Sequence, residues 1–159
     1  MAAAEKGRRE GRVGRLCLLV CLVTSIDSTM SAALIRACKR GDAEAASKLL
    51  EVMEGCELDE GDDEGRTAVF HAATAGCGNV LLMLLNAGAD GGKAARDGST
   101  PAHAAVSEGH LDALFMVLAD RRLDVNARDG DGATALHVAV SQGRPLAFLE
   151  SLLEAGADP

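Results

Sequence analysis

Five thiols, four imidazoles and one dense run of carboxylates are the groups in this 159-residue chain equipped to do chemistry. Cys77 and His71 form a thiol and imidazole pair close in sequence. Six residues separate them across a predicted helix-to-turn boundary, whereas a nucleophile needs its base within hydrogen-bond reach. Cys17 and Cys21 lie inside an apolar run with no histidine or second cysteine pair nearby, so the four nitrogen or sulfur ligands of a zinc site are not at hand. The segment 51–64 holds eight carboxylates and no Lys or Arg. Counted from Asp59, the closing position of a calcium loop falls on Phe70 and not on a glutamate, so that reading fails. A solvated loop is the expectation for this segment, with an acidic docking patch as the alternative. No glycine-rich loop ends in Lys-Ser or Lys-Thr, as a phosphate-binding loop would. The residues predict no enzyme, no cofactor and no metal site.

The elements that must position these residues follow from composition and repetition. Apolar residues make up 48% of the chain, yet the aromatics are three phenylalanines, Phe70, Phe115 and Phe148, with no Trp or Tyr. The core is therefore aliphatic, and its Ala and Leu favour helix over strand. All three phenylalanines fall in helical segments, where core packing is the expected use. The net charge of −8 is uneven: residues 1–30 carry five basic and three acidic side chains, leaving 11 basic against 21 acidic for the rest. An acidic body repels phosphate backbones, which excludes nucleic acid as a natural ligand and favours basic protein segments.

Residues 1–30 stand apart. Lys6, Arg8, Arg9, Arg12 and Arg15 precede the apolar run Leu16 to Val23. This is the layout of a secretory signal, and the run is far shorter than the ~20 residues of a membrane-spanning helix. Three readings stand side by side: a targeting segment, a disordered leader without an address, and a translated extension upstream of a working start at Met30. Three cysteines in the body, Cys38, Cys56 and Cys77, make a poor disulfide framework. No Asn-x-Ser/Thr sequon occurs at Asn79, Asn86 or Asn126. A cytoplasmic location, with the nucleus also open, is the expectation, and a membrane is disfavoured.

From Ser31 onward the chain repeats. Gly65-Arg-Thr67, Gly98-Ser-Thr100 and Gly132-Ala-Thr134 recur at spacings of 33 and 34 residues, and each glycine is followed 11 residues later by Gly76, Gly109 or Gly143. Between each pair lies one short predicted helix. After it comes an aliphatic segment such as Val80, Leu81, Leu84 and Leu85, whose spacing gives a second helix one apolar face. Glycine-rich ends such as Gly88-Ala-Asp90 stop that helix. A degraded earlier copy runs from Leu34 through Gly41-Asp42 to Leu50. Four helix pairs follow, at 31–64, 65–97, 98–131 and 132–158, and they need one another for burial.

The sequence Gly98-Ser-Thr-Pro-Ala-His103, the turn Gly109-His110, Asp124-Val-Asn126, Thr134-Ala-Leu-His137 and Gly156-Ala-Asp158 resemble the ankyrin repeat over residues 31–158. The resemblance implies an all-α solenoid of stacked helix-turn-helix units with short β-hairpin fingers, used as a non-catalytic surface for binding another protein. Thr67, Thr100 and Thr134 are expected helix caps, with Pro101 at a first helical position. His103 and His137 carry over as structural residues that bond locally and bridge to the next loop, and His110 as a turn residue. Phe70 stands where the family has histidine, so the second unit is expected to lose a polar tie. Cys77 and Arg144 stand where His110 stands. Extra residues near Arg121-Arg122 and Glu150-Ser151 are expected to bulge helix ends, and Leu149, Leu152 or Leu153 to be partly exposed.

The family's contact surface, fingertips and the groove beside the first helices, maps residue by residue. In the first unit it comprises Lys39 and Arg40, and in the second Asp63, Glu64, Arg66, Thr74 and Ala75. In the third it comprises Arg96, Asp97, Ser99, Ser107 and Glu108, and in the fourth Gly130, Asp131, Ala133, Ser141 and Gln142. The expected partner is a protein with a basic segment, neither nucleic acid nor a small-molecule substrate, and no aromatic hot spot is expected on this surface. The alternatives are a secreted or membrane-targeted effector using residues 1–30 as a signal, and an accessory domain of a longer protein.

Overall fold

The computed structural model describes residues 27–53 and 58–159. The leader, with Cys17 and Cys21, and Cys56 in the acidic segment lie outside the described residues. Eight helices pair in order among the described residues: α1 (Asp27–Arg40) with α2 (Ala43–Val52), α3 (Ala68–Thr74) with α4 (Gly78–Asn86), α5 (Pro101–Glu108) with α6 (Leu111–Leu118), and α7 (Ala135–Ser141) with α8 (Leu146–Glu154). First helices stack α1, α3, α5, α7, and second helices stack α2, α4, α6, α8. The result is an α-solenoid, with α1 starting four residues ahead of Ser31.

Local chemistry fixes the helix starts. The Asp42 carboxylate accepts from Ala45 N–H at 3.0 Å, and the Thr67 hydroxyl from Phe70 N–H at 3.3 Å, each satisfying a donor the helix leaves open. Small residues then set the spacing. Ala46, Ala72, Ala73, Ala105 and Ala139 are fully buried, so neighbouring helices approach closely around Val69, Leu81, Leu84, Leu114, Val117 and Leu152. Each buried Leu or Val side chain contributes about 1.5–3 kcal/mol of transfer free energy, which no isolated pair could realise.

The turn within each pair seats the next unit. A Cβ placed on Gly41 would lie 2.5 Å from Cys77 Sγ, one on Gly76 2.5 Å from His110 Nδ1, and one on Gly109 2.5 Å from the Arg144 guanidinium. Cys77, His110 and Arg144 thus cover the preceding turn with three different chemistries. Gly143 has nothing within 4 Å of that position.

The extra residue near Arg121-Arg122 leaves α6 regular and falls in the loop after it. Arg122 turns back there, its guanidinium donating to Gly88 O at 3.0 Å and Ala89 O at 2.6 Å and pairing with Asp120 at 3.0 Å. Asp120 in turn accepts from Gly91 N–H at 2.9 Å. Of the three leucines among which partial exposure was expected, Leu153 is exposed, Leu149 half-buried and Leu152 fully buried.

Candidate protein-binding surface

Each finger is a tight turn and not a two-stranded hairpin, since no strand occurs among the described residues. Two backbone bonds close each one: Asp62 N–H to Arg66 O and Gly65 N–H to Asp62 O, and the equivalents across 95–99 and 129–133. This leaves too few pairs for a ladder. Carboxylates tighten the turns from inside. Asp62 Oδ1 accepts from Glu64 and Arg66 N–H, Asp97 Oδ1 from Ser99, and Asp129 Oδ1 from Asp131 and Ala133.

The tips stack into one ledge. Arg96 N–H donates to Glu64 O at 2.9 Å, joining the first tip to the second. A Cβ on Gly98 would lie 2.9 Å from Arg128 O and one on Gly130 3.0 Å from Asp97 O, so the second and third tips touch through backbone. His103, in α5, reaches the third tip. Its Nδ1 accepts from Thr100 N–H at 3.2 Å and meets the Thr100 hydroxyl at 2.8 Å, which puts the ring proton on Nε2, where it is donated to Ala133 O at 3.1 Å. His137 makes the same local box with Thr134 but is exposed.

The second unit keeps a polar tie that the substitution of Phe70 was expected to remove. His71, one residue on, is buried, and its Nε2 pairs with Asp62 Oδ2 at 2.8 Å. Lys39 Nζ reaches the same oxygen at 3.6 Å. Partial burial pushes the Asp62 carboxyl up, but bonds from His71, Arg66 N–H and Glu64 N–H outweigh it and hold the group at about 2. Burial lowers the His71 pKa, with Asp62 opposing and Lys39 and Arg66 reinforcing the shift. His71 is therefore committed to the finger. Cys77 donates instead to Ala75 O at 3.6 Å, and the two are not joined as a dyad.

Two rows of predicted contact residues result. Along the ledge, Asp63, Glu64, Arg96, Asp97, Gly130 and Asp131 are exposed, while Ser99 and Ala133 are half-buried. Arg66 is turned aside, pairing with Glu64 at 2.7 Å and lying 5.5 Å over the Phe70 ring. Below, at the ends of the first helices, Ser107, Glu108, Ser141 and Gln142 are exposed and Thr74 and Ala75 half-buried. The Thr74 hydroxyl is spent on Phe70 O at 2.9 Å, and Gln142 Nε2 bonds Ser107 Oγ at 3.3 Å. Arg144 donates to Ser107 O in the same cluster. Lys39 spans from the lower row towards the first finger, with Arg40 exposed beside it.

Sequence reasoning missed three features here. Asp62 and Asp129 shape the tips and Asp59 Oδ1 accepts from Asp90 N–H at 2.7 Å, so part of the acidic segment is structural and not merely solvated. Their spacing five residues before Thr67 and Thr134 was the available pointer. Phe115, expected in the core, is 51% exposed on the outer side of α6, whereas Phe70 and Phe148 are buried. Among the described residues no three His, Cys, Asp or Glu side chains group as metal ligands, and no helix is long and apolar enough to cross a membrane.

The family model for ankyrin repeats matches residues 1–95 and 90–159. An ankyrin repeat-containing protein of Schizosaccharomyces pombe is 44% identical over 61 residues, covering 38% of this chain and 29% of its own length. The inactive serine/threonine-protein kinase TEX14 of Mus musculus is 33% identical over 107 residues, covering 65% of this chain and 7% of the kinase. The chain thus spans less than a third of either curated relative.

Proposed function

We propose, from the premise that this chain belongs to the ankyrin-repeat family, that it is a non-catalytic adaptor whose finger ledge binds a Lys- or Arg-rich segment of another protein. Members of the family generally act in protein–protein interaction. The observation that carries the finer reading is the charge of the stacked ledge. Residues 62–66, 95–99 and 129–133 contain six carboxylates and two guanidinium groups, and one of those two, Arg66, is already paired with Glu64. Carboxylates that close the turns are held by backbone donors, so the tips are ordered before a partner arrives and little binding energy is lost in ordering them. Exposed Asp63, Asp97 and Asp131 then present one negative charge on each tip. Such charge steers a basic segment on encounter and fixes its register.

The test compares the full chain with a variant carrying Asp63→Lys, Glu64→Lys, Asp97→Lys and Asp131→Lys, both checked by circular dichroism. Each is probed with an array of Lys/Arg-rich, neutral and acidic peptides at rising salt. Basic peptides should be retained by the parent, released as salt screens the charges, and lost on the variant. Equal retention by both proteins, or retention indifferent to salt, would reject the ledge as the binding surface.

A further inference from the structure

Counted in register from the turn glycines Gly41, Gly76, Gly109 and Gly143, the same place on each second helix falls to Ser47, Leu82, Phe115 and Leu149. A position turned to water should be polar, as it is in the first unit. In the middle units it is apolar, with Leu82 48% and Phe115 51% exposed. Each is followed by a half-buried methionine, Met83 or Met116. Met116 joins the two helices, since its Cε lies 3.2 Å from where a Cβ on Gly78 would stand. A cleft of about 560 Å³ opens beside Phe115 and Met116 and is also lined by Cys77, Val80 and Asp112. A second, of about 550 Å³, is lined by Met83, Leu50, Leu58 and Glu51. An exposed apolar patch with a polar border marks an interaction site, and methionine adapts to the shape of what covers it.

The charges around the stripe select its occupant. The four second helices contain the carboxylates Glu44, Glu51, Asp112, Glu150 and Glu154 against one cation, Lys48. Lys48 is already tied to Glu44 at 2.6 Å. Glu51 and Asp112, one in each cleft, are exposed and form no ion pair among the described residues. This border repels an anionic lipid surface and attracts Lys or Arg. Packed helices lie about 8–10 Å apart, and residues i and i+7 of one helix about 10.5 Å. One apolar stripe on a partner helix therefore reaches Leu82 and Phe115 together.

We infer that the outer face of α4 and α6 binds an amphipathic helix of another protein, its apolar stripe on Leu82 and Phe115 and its bordering Lys or Arg residues towards Glu51 and Asp112. The finger ledge shares none of these residues, so the two surfaces stand or fall separately.

The sequence contains no Trp or Tyr, so Phe115→Trp in the full chain places a single indole on the stripe. The probe is a peptide of about 18 residues, five helical turns, with leucines on one face and lysines bordering them. A scrambled peptide of equal length and charge is the control, and circular dichroism monitors folding throughout. The amphipathic peptide should blue-shift the indole emission and shield it from acrylamide. It should still do so when the ledge carries Asp63→Lys, Glu64→Lys, Asp97→Lys and Asp131→Lys. Leu82→Asn should weaken binding about tenfold, the loss of one covered leucine. Glu51→Lys with Asp112→Lys should weaken it about fivefold at low salt, a difference that added salt reduces. An indole unmoved by the peptide, a scrambled peptide as effective as the amphipathic one, or affinity indifferent to Leu82→Asn or to the charge reversal would each overturn the inference. So would an indole already shielded in the free protein, or shielded as protein concentration rises, which assigns the face to a second copy. Equal shielding by phosphatidylserine vesicles would overturn it too, in favour of a membrane.

Discussion

His103 and His137 occupy the same motif position and make the same local box, which turns them into an internal control. His103 is 4% exposed and ties α5 to the third fingertip, while His137 is exposed. In His103→Ala the Thr100 N–H, on a residue 2% exposed, loses its acceptor and stays out of water, a penalty of about 1–3 kcal/mol. The lost bond to Ala133 O adds about 0.5–1.5 kcal/mol. The sum is about 3 kcal/mol. In His137→Ala water reaches the vacated box, and the cost is about 1 kcal/mol. His103→Asn separates the two parts, because an amide oxygen can accept from Thr100 N–H while nothing reaches Ala133; about 1 kcal/mol is expected. Urea unfolding at neutral pH, followed by circular dichroism, measures all three. Equal losses for His103→Ala and His137→Ala would show that the bond between units carries no stability, and the reasoning would fail.

Acidification should lower stability over two pH ranges, both through depressed pKa values. The His71 pKa is lowered in the fold, so the unfolded chain binds the proton more tightly; stability is complete above the ordinary value of 6.5 and declines as pH falls through it. Asp62 is also lowered, to about 2 from 3.8, so its contribution is present above 3.8 and is lost as pH falls towards 2. Thermal melts between pH 7.5 and 5 should show a smaller slope for His71→Gln than for the parent, and an unchanged slope would exclude His71 as a source. Gly76 and Gly143 give a second pair. Both have positive φ, 66° and 61°, and alanine there costs about 1–2 kcal/mol in strain. At Gly76 the new methyl also meets the His110 ring at 2.5 Å, adding about 1–3 kcal/mol of overpacking. Gly76→Ala should therefore destabilise more than Gly143→Ala in the same urea series, and equal midpoints would remove the turn-covering role of His110.

What could be read from the sequence was what is decided within a few residues. Thr67, Thr100 and Thr134 before their helices, the paired glycines and the histidine three residues after Thr100 or Thr134 each act locally, so spacing alone located them. The pairing of His71 with Asp62 crosses nine residues and depends on how the finger folds back, which no periodicity reports. Phe115 escaped for another reason. In LDALFMVL only Asp112 is polar, so α6 has no polar face to mark its outward side. Laying α6 beside α2 in register sets Phe115 against Ser47, and that comparison between units was the missing indicator. Likewise Arg122 appeared as an inserted residue, while its function as a clamp on Gly88 and Ala89 needed the neighbouring unit in place.

The acids of the fingers divide by what their oxygens are doing. Asp62 and Asp129 accept backbone N–H groups across their own turns, and Asp62 also holds His71. Asp63 and Asp131 are exposed one and two residues away. The two sets have nearly the same place in sequence and the same charge, so composition cannot separate them, but the physics of their removal differs. Neutralising Asp62 or Asp129 strips acceptors from partly buried donors and loosens the tip itself, so stability and binding fall together. Neutralising Asp63 or Asp131 removes only screened surface charge, which costs little stability, and under the proposed function it should weaken association with a basic segment. At the first and third tips the shape thus rests on Asp62 and Asp129 and the exposed charge on Asp63 and Asp131, whereas at the second tip Asp97 does both, closing its turn through Ser99 while exposed.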